Sequence, residues 1–85
     1  MEDVLFIGAM RGVFEKDGNR NEYFKVFVGR PLENGIGYTP VTLYVTADEF
    51  ADFKKLSVGD IVSAKIKGYK NAKGIYSYIL CAYNL

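Results

Sequence analysis

The chain of 85 residues has no histidine, no tryptophan and only one cysteine. Without histidine there is no imidazole for general acid–base catalysis, for activating a nucleophile, or for a Cys/His zinc site. The single Cys81 cannot form an internal disulfide or a four-thiolate metal site. We therefore expect no bound metal, and a lone thiol without a secretory signal pattern favours the reducing cytoplasm.

Long apolar runs and a strong net charge are also missing. No run approaches the roughly 18 residues that a membrane-spanning helix needs, so we expect a soluble protein without a membrane partner. Eleven basic and ten acidic side chains leave a net charge of +1, which by itself favours no partner. The distribution is uneven, because no acid follows Asp60 whereas four lysines do. Residues 61–85 are therefore locally cationic.

The remaining composition suits one small domain over residues 1–85. Apolar residues make up 49% of the chain and charged residues 25%, outside the range of disordered chains. Seven Tyr and six Phe are more than so small an interior needs, so some rings should face solvent. Small domains without disulfides or metals often gain stability by association, and we expect a symmetric homodimer.

Sequence patterns predict five strands and one helix. The first strand is apolar but interrupted by Gly8 and Gly12, which is typical of a long, bent strand. Asp17-Gly18 predicts a hairpin turn, because both residues tolerate positive φ. The predicted strands are residues 4–14, 22–29, 41–45, 61–68 and 75–83, and the predicted helix is residues 47–56.

The helix between the third and fourth strands defines the predicted fold. A capping box begins at Thr46, and Phe50, Phe53 and Leu56 form an apolar stripe along the helix. A bent first strand that pairs on both sides lets five strands close into a barrel, and the stripe can plug its open end. The order β-β-β-α-β-β predicts an all-β protein with one short helix, a five-stranded OB-fold barrel. The alternative is an SH3-like barrel.

Two segments carry a resemblance to a known family. Residues 46–50 (TADEF) and 53–62 (FKKLSVGDIV) resemble the helix and the Gly-Asp entry to the fourth strand of many single-stranded-DNA-binding OB domains. In length and strand order the chain is similar to the small single-strand-binding proteins of phages and mobile elements. The resemblance implies sequence-independent binding and protection of single-stranded DNA during replication or transfer of such an element. Unlike the bacterial cellular type, the chain has no Trp and no long acidic C-terminal tail.

The second and third predicted strands combine aromatic and basic side chains on one face. Single-strand binders need flat rings for unstacked bases and cations for the backbone. Alternation over residues 22–29 puts Tyr23, Lys25 and Phe27 opposite the apolar set, and Tyr44 can lie beside them. The alternatives are that Phe27 belongs to an oligomer interface, or that the inward and outward sets are exchanged.

A second basic set lies in two hairpin loops and on the fourth predicted strand. The loops between strands 1 and 2 and between strands 4 and 5 flank the groove of an OB-fold. Alternating lysines on a strand also serve as a solubility and edge-protecting device. With Arg11 at the floor of the groove, the predicted nucleic-acid-binding set is Arg11, Lys16, Arg20, Tyr23, Lys25, Phe27, Tyr44, Lys65, Lys67, Lys70, Lys73 and Tyr76.

Other residues receive structural assignments. Arg30 and Tyr38 fall in a predicted long connection, residues 30–40, which is either a nucleic-acid-binding arm, a mobile surface loop or a short hairpin. We assign Cys81 to the core as a small buried hydrophobe. We assign five phenylalanines to the core as well: Phe6, Phe14, Phe24, Phe50 and Phe53.

Catalysis is not expected. The carboxylates of Asp48, Glu49 and Asp52 lie at the start of the helix, where capping and the helix dipole explain them. The sequence has no P-loop and no dinucleotide motif, so we expect no cofactor and no small-molecule substrate. The alternatives to single-stranded DNA binding are an RNA-binding OB module and a protein-interaction or oligomerisation module with exposed aromatics.

Overall fold

The computed structural model describes residues 1–85 and consists of five strands and one helix. The elements are β1 (Glu2–Lys16), β2 (Asn19–Pro31), β3 (Tyr38–Val45), α1 (Ala47–Phe53), β4 (Ile61–Lys70) and β5 (Tyr76–Asn84). The predictions of a mostly β chain and of one short helix are confirmed. The strands other than β5 are longer than predicted, because backbone pairing continues into the polar residues at their ends.

The five strands form one closed sheet in the order β1-β2-β3-β5-β4. β1 closes the sheet, because Glu2 to Leu5 pair with β4 whereas the strand pairs with β2 as far as Lys16. The pairing of the first strand on both sides is therefore confirmed. The one parallel pairing joins β3 to β5 and involves only Leu43 and Tyr44 of β3.

A β-bulge in β1 decides which of its side chains face the core. Phe6 lies opposite Val28 and Gly8 lies opposite Phe27, so Ile7 is an extra residue without a partner on β2. Side chains alternate along a strand, so one extra residue exchanges the two faces for every residue that follows. Even-numbered side chains of β1 therefore point to the core before the bulge and away from it after the bulge.

This exchange places Phe14 outside the core. Val4 and Phe6 are buried, with exposures of 0% and 4%, and unbroken alternation would bury Phe14 with them. Phe14 is instead 45% exposed, so its assignment to the core is wrong. The sequence does contain a signal for the bulge, because an isolated glycine within a strand, here Gly8, often marks one.

A second bulge explains the position of Cys81. Lys65 lies opposite Ala82 and Ile66 lies opposite Leu80, which leaves Cys81 without a partner on β4. A bulged residue falls outside the alternation of its strand, and Cys81 is exposed. The assignment of Cys81 to the core is therefore wrong.

Two hairpins join the first three strands. Asp17 and Gly18 have φ angles of 53° and 76°, which define a two-residue type I′ turn and confirm the predicted hairpin. The connection between β2 and β3 is also short, because Pro31 pairs with Tyr38 and leaves a loop of residues 32–37. Of the interpretations of residues 30–40, the short hairpin is confirmed.

Arg30 and Tyr38 therefore lie in paired strands and not in a mobile arm. The Arg30 guanidinium donates two hydrogen bonds to the Glu2 carboxylate, from Nε at 3.0 Å and from Nη2 at 2.7 Å. The Tyr38 side chain crosses Gly29, where its Cβ lies 2.8 Å from the position that a Cβ on Gly29 would take. These contacts tie both residues to the sheet, and the prediction of an arm is wrong.

α1 begins as predicted and ends earlier. Thr46 Oγ1 accepts a hydrogen bond from the Glu49 N–H at 3.2 Å, and Glu49 Oε1 accepts one from the Thr46 N–H at 2.8 Å. The helix ends at Phe53 because Lys55 and Leu56 donate to carbonyls three residues back, which tightens the last turn. No helix in the protein has the length and apolar character needed to cross a membrane.

The interior of the closed sheet is filled by nine buried apolar side chains: Val4, Phe6, Val26, Val28, Val41, Leu43, Phe53, Val62 and Ala64. Phe53 fixes α1 to this core, with its ring centroid 6.2 Å from that of Phe6 and 5.1 Å from that of Tyr83. Phe50 packs on Phe24 at a centroid distance of 5.1 Å. The apolar side of the helix therefore packs against the sheet, as predicted.

A hydrogen bond joins the last strand to the helix. The Tyr83 hydroxyl donates to Asp52 Oδ2 at 2.6 Å. This bond and the nearby carboxylate charge favour the protonated phenol, and they raise the pKa of Tyr83 to about 12. The bond adds a polar contact between β5 and α1 beside the packing of Phe53.

Two phenylalanines of equal size test the position of the bulge. Phe53→Ala should lower the free energy of unfolding by about 3–5 kcal/mol, because it leaves a cavity beneath α1. Phe14→Ala should lower it by no more than about 1 kcal/mol, because the ring is outside the core. Urea unfolding followed by circular dichroism measures both. Equal losses would show that Phe14 is buried.

The bond between Tyr83 and Asp52 predicts a specific pH dependence. Tyr83→Phe should lower the free energy of unfolding by about 1 kcal/mol near neutral pH. The contribution of Tyr83 is complete below about pH 10, the ordinary tyrosine pKa. It should be lost as the pH rises towards 12, because the unfolded chain releases the proton first. In Tyr83→Phe the fall in the free energy of unfolding between about pH 10 and 12 should be absent. In Tyr69→Phe, at an exposed site, that fall should remain. Identical pH profiles for both variants would contradict the role of the bond.

Candidate nucleic-acid interface

Three neighbouring strands present aromatic side chains on the outside of the sheet. Along β2, Tyr23, Lys25 and Phe27 alternate with the buried Val26 and Val28, so they point outward as predicted. All three of the outward residues are half-buried by their neighbours on the sheet. Their side chains therefore form a continuous surface and do not project separately into solvent.

The adjacent strands extend this surface on both sides. Tyr44 of β3 lies opposite Lys25 and is 57% exposed. Phe14 of β1 lies opposite Asn21, two residues before Tyr23 on the same face, and its ring centroid is 6.1 Å from that of Tyr23. We define the outer aromatic face as Phe14, Tyr23, Lys25, Phe27 and Tyr44. Phe14 is the member that sequence reasoning missed, because the bulge reverses its direction.

Lys25 lies between two tyrosine rings of this face. Its Nζ atom is 5.3 Å from the ring centroid of Tyr23 and 5.4 Å from that of Tyr44. An ammonium group within about 6 Å of a ring centroid is attracted by the π-system. The two contacts hold a positive charge at the centre of the outer aromatic face, with one ring on each side of it.

The position of Tyr23 depends on a residue without a side chain. Gly12 pairs directly with Tyr23 across β1 and β2. A Cβ on Gly12 would overlap the Tyr23 ring, with Cε1 only 2.5 Å away. The ring therefore lies over the bare backbone of β1. A side chain at position 12 would therefore displace the ring.

Alternation also sorts the charges of the β1–β2 hairpin. Arg11 and Glu22 lie on the face opposite Lys25, and Arg11 Nη1 is 3.7 Å from Glu22 Oε1. On that same opposite face Glu15 pairs with Arg20 in register. The placement of Arg11 at the floor of the groove is therefore wrong, because the bulge turns it to the other side.

Lys16 lies on the aromatic side of the same hairpin. It pairs with Asn19 and follows Phe14 by two residues. Each carboxylate within the two strands of the hairpin beyond the bulge lies on the other face, with the arginines. The outer aromatic face therefore carries positive charge, from Lys16 and Lys25, without a neutralising acid on this hairpin.

A cleft of about 420 Å³ adjoins the outer aromatic face. It opens where β3 and β5 separate beyond their short parallel pairing, and Lys25, Thr42 and Tyr44 form one wall. Tyr76 lies on the other side and is 63% exposed, with Lys70 Nζ 5.9 Å from its ring centroid. The cleft thus joins Tyr76, with Lys70 beside its ring, to Lys25 of β2 and Tyr44 of β3.

The remaining lysines of the predicted set do not form one patch with Lys70. Lys65 and Lys67 lie on one face of the β4–β5 hairpin, and Lys70 lies on the other, because its position differs from Lys67 by an odd number of residues. Lys67 is opposite Ile79, which in turn pairs with Tyr44. These two lysines therefore border the outer aromatic face across β5.

Lys73 lies in the turn at the tip of the β4–β5 hairpin. Asn71 Oδ1 accepts hydrogen bonds from the backbone N–H groups of Lys73 at 2.9 Å and of Ile75 at 3.0 Å. These bonds shape the turn beside the cleft, since Ile75 also lines it. Lys73 is two residues before Ile75 in the sequence, but it does not line the cleft itself.

The arrangement combines exposed aromatic rings with lysine ammonium groups. No group of three or more His, Cys, Asp or Glu side chains is placed to hold a metal ion. Comparison of the chain with protein-family models, with curated proteins and with solved structures finds no match.

The contact between Gly12 and Tyr23 can be tested without removing an aromatic ring. Gly12→Ala should displace the Tyr23 ring and abolish its nuclear Overhauser contact with Phe14, because the new methyl takes the space of the ring. Gly8→Ala is the matched control, since a Cβ there meets nothing within 4 Å. Stability should change by no more than about 1 kcal/mol in either variant. Retention of the Tyr23–Phe14 contact in Gly12→Ala would contradict the geometry.

Proposed function

We propose that the protein is a non-catalytic OB-fold protein that binds single-stranded DNA without sequence preference. The observation that carries the proposal is Lys25 held between Tyr23 and Tyr44 on a face without a hairpin carboxylate. The order of strands supports an OB-fold, because a closed β1-β2-β3-β5-β4 sheet with a helix between β3 and β4 is the layout of that barrel.

Stacking explains why such a surface would prefer single strands. Unpaired bases expose both faces, and each base stacked on an aromatic side chain contributes about 1–3 kcal/mol. Tyr23, Tyr44 and Phe14 offer rings at successive positions across three strands. In duplex DNA the bases are stacked on one another, so these rings have nothing to contact.

The lysines supply the complementary contacts to the backbone. Lys25 lies among the rings, so its ammonium can reach a phosphate next to a stacked base. Lys16 at one end and Lys67 across β5 extend the positive charge along the outer aromatic face, and Lys70 lies beside Tyr76 at the far side of the cleft. Since every base has a π-face and every nucleotide a phosphate, these contacts do not discriminate between sequences.

The single-stranded DNA would run across β1, β2 and β3 and enter the cleft at Tyr76. The cleft is continuous with the outer aromatic face, because Lys25 and Tyr44 belong to that face and also line the cleft. In the cell, a protein of this kind would coat exposed strands during replication or transfer, and the resemblance to phage and mobile-element proteins favours that setting.

Binding of oligo-dT tests the proposal. We expect oligo-dT to quench the tyrosine fluorescence and affinity to fall with salt, with a slope of about −0.7 per phosphate neutralised. Duplex DNA of equal length should bind much more weakly. Oligo-rU separates DNA from RNA, because only RNA offers a 2′-hydroxyl contact. Equal affinity for the duplex, or no binding at low salt, would refute the proposal.

Substitutions on the outer aromatic face should separate stacking from charge. Tyr44→Ala should weaken binding of oligo-dT by about 1–3 kcal/mol with little change in salt slope, because stacking releases no counterions. Lys25→Ala should reduce the salt slope by about 0.7, the value for one phosphate contact. The matched controls are Tyr69→Ala, an exposed ring outside the cleft, and Lys55→Ala, beyond the end of α1. If Tyr69→Ala weakens binding as much as Tyr44→Ala, the site lies on β4 instead.

A further inference from the structure

β1 has a long backbone edge without a partner strand. Its pairing with β4 extends only from Glu2 to Leu5, whereas its pairing with β2 continues to Lys16. Residues 8–16 therefore pair on one side only. An unpaired strand edge is a template for addition of another strand. Val13, in the middle of this edge, is 40% exposed.

The turn at the end of β1 determines which backbone groups point to the free edge. A two-residue turn closes with a hydrogen bond between the residues that flank it, here Lys16 and Asn19. Hydrogen-bonded and non-hydrogen-bonded pairs alternate in an antiparallel ladder. The N–H and C=O groups of Glu15, Val13 and Arg11 therefore point away from β2, towards the free edge.

These same three residues make the edge complementary to itself. Arg11, Val13 and Glu15 share one face of β1 beyond the bulge. If a second copy pairs antiparallel with the centre at Val13, Arg11 of each copy lies opposite Glu15 of the other. The two-fold axis then relates two identical Arg–Glu contacts, with the two Val13 side chains between them.

Other registers lack this complementarity. Centring the pair on Arg11 or on Glu15 puts like charges opposite each other, which is destabilising. Centring it on Gly12 puts Arg11 opposite Val13, and centring it on Phe14 puts Glu15 opposite Val13. Among registers with their centre between residues 11 and 15, only the Val13 register pairs both charges with their opposites. It also pairs the free backbone groups with one another.

We infer that the free edge of β1 forms a homodimer by antiparallel strand pairing centred on Val13. The backbone groups of Arg11, Val13 and Glu15 bond to their counterparts, and the two Arg–Glu contacts set the register. The two-fold axis is perpendicular to the joined sheet, so both outer aromatic faces lie on the same side. Gly12 of one copy then lies opposite Phe14 of the other on that side. The dimer does not require the proposed binding of DNA.

Charge exchange tests this register. By sedimentation, the wild-type chain should form dimers at micromolar concentration. Arg11→Glu replaces two attractive contacts with two repulsive ones, and we expect the dissociation constant to rise about tenfold or more. Glu15→Arg should act in the same way, and the double variant R11E/E15R should restore dimerisation. Glu22→Gln is the control, because it breaks the ion pair of Arg11 within the chain and leaves the edge unchanged.

A cysteine at the two-fold axis gives a second measurement. The Cα atoms of a hydrogen-bonded antiparallel pair are about 5.5 Å apart, which suits a disulfide. With Cys81→Ser removing the native thiol, Val13→Cys should oxidise to a covalent dimer. Phe14→Cys in the same background should not, because its two copies are offset along the strands.

Three results would overturn the inference: a wild-type monomer at every concentration, a dimer unaffected by Arg11→Glu, or a double variant that stays monomeric. Thermal melting must show that each variant is folded. Binding of oligo-dT is measured separately for each chain. A monomer that binds oligo-dT refutes the dimer alone, and a dimer that does not bind oligo-dT refutes only the proposed function.

Discussion

The extra residue at Ile7 is the constraint on which the candidate site depends. It lets β1 pair with β4 through its first residues and then continue along β2 with its faces exchanged. The exchange brings Phe14 to the side of Tyr23 and moves Arg11 to the other side. Without the extra residue, the Phe14 ring would point towards the axis of the closed sheet, and Arg11 would lie on the face of the tyrosines.

Glycine positions hold the tyrosine rings close to the sheet. The Tyr23 ring lies over Gly12, and the Tyr78 ring lies 3.0 Å from the position of a Cβ on Gly68. Gly29 has the corresponding contact with Tyr38. Of these rings, Tyr23 belongs to the outer aromatic face, whereas Tyr78 packs against the core.

Stability and the proposed binding surface are carried by different residues. The interior depends on the buried apolar set and on Phe53, which packs α1 against Phe6 and Tyr83. The outer aromatic face lies on the opposite side of the same strands, so its side chains can be changed without opening a cavity. Tyr23, Lys25 and Phe27 are partial exceptions, because all three are half-buried by their neighbours on the sheet.

The sequence alone determined the features that depend on neighbouring residues. The Asp17–Gly18 turn, the capping box at Thr46 and the outward direction of Tyr23, Lys25 and Tyr44 all follow from local conformational preference and unbroken alternation. The tertiary structure decided the rest. A bulge exists only relative to a partner strand, so the directions of Phe14, Arg11 and Cys81 needed the pairings of β1 with β2 and of β4 with β5. The cleft needed β3 and β5 to meet in parallel and then separate, a contact between residues far apart in the chain that no local pattern encodes.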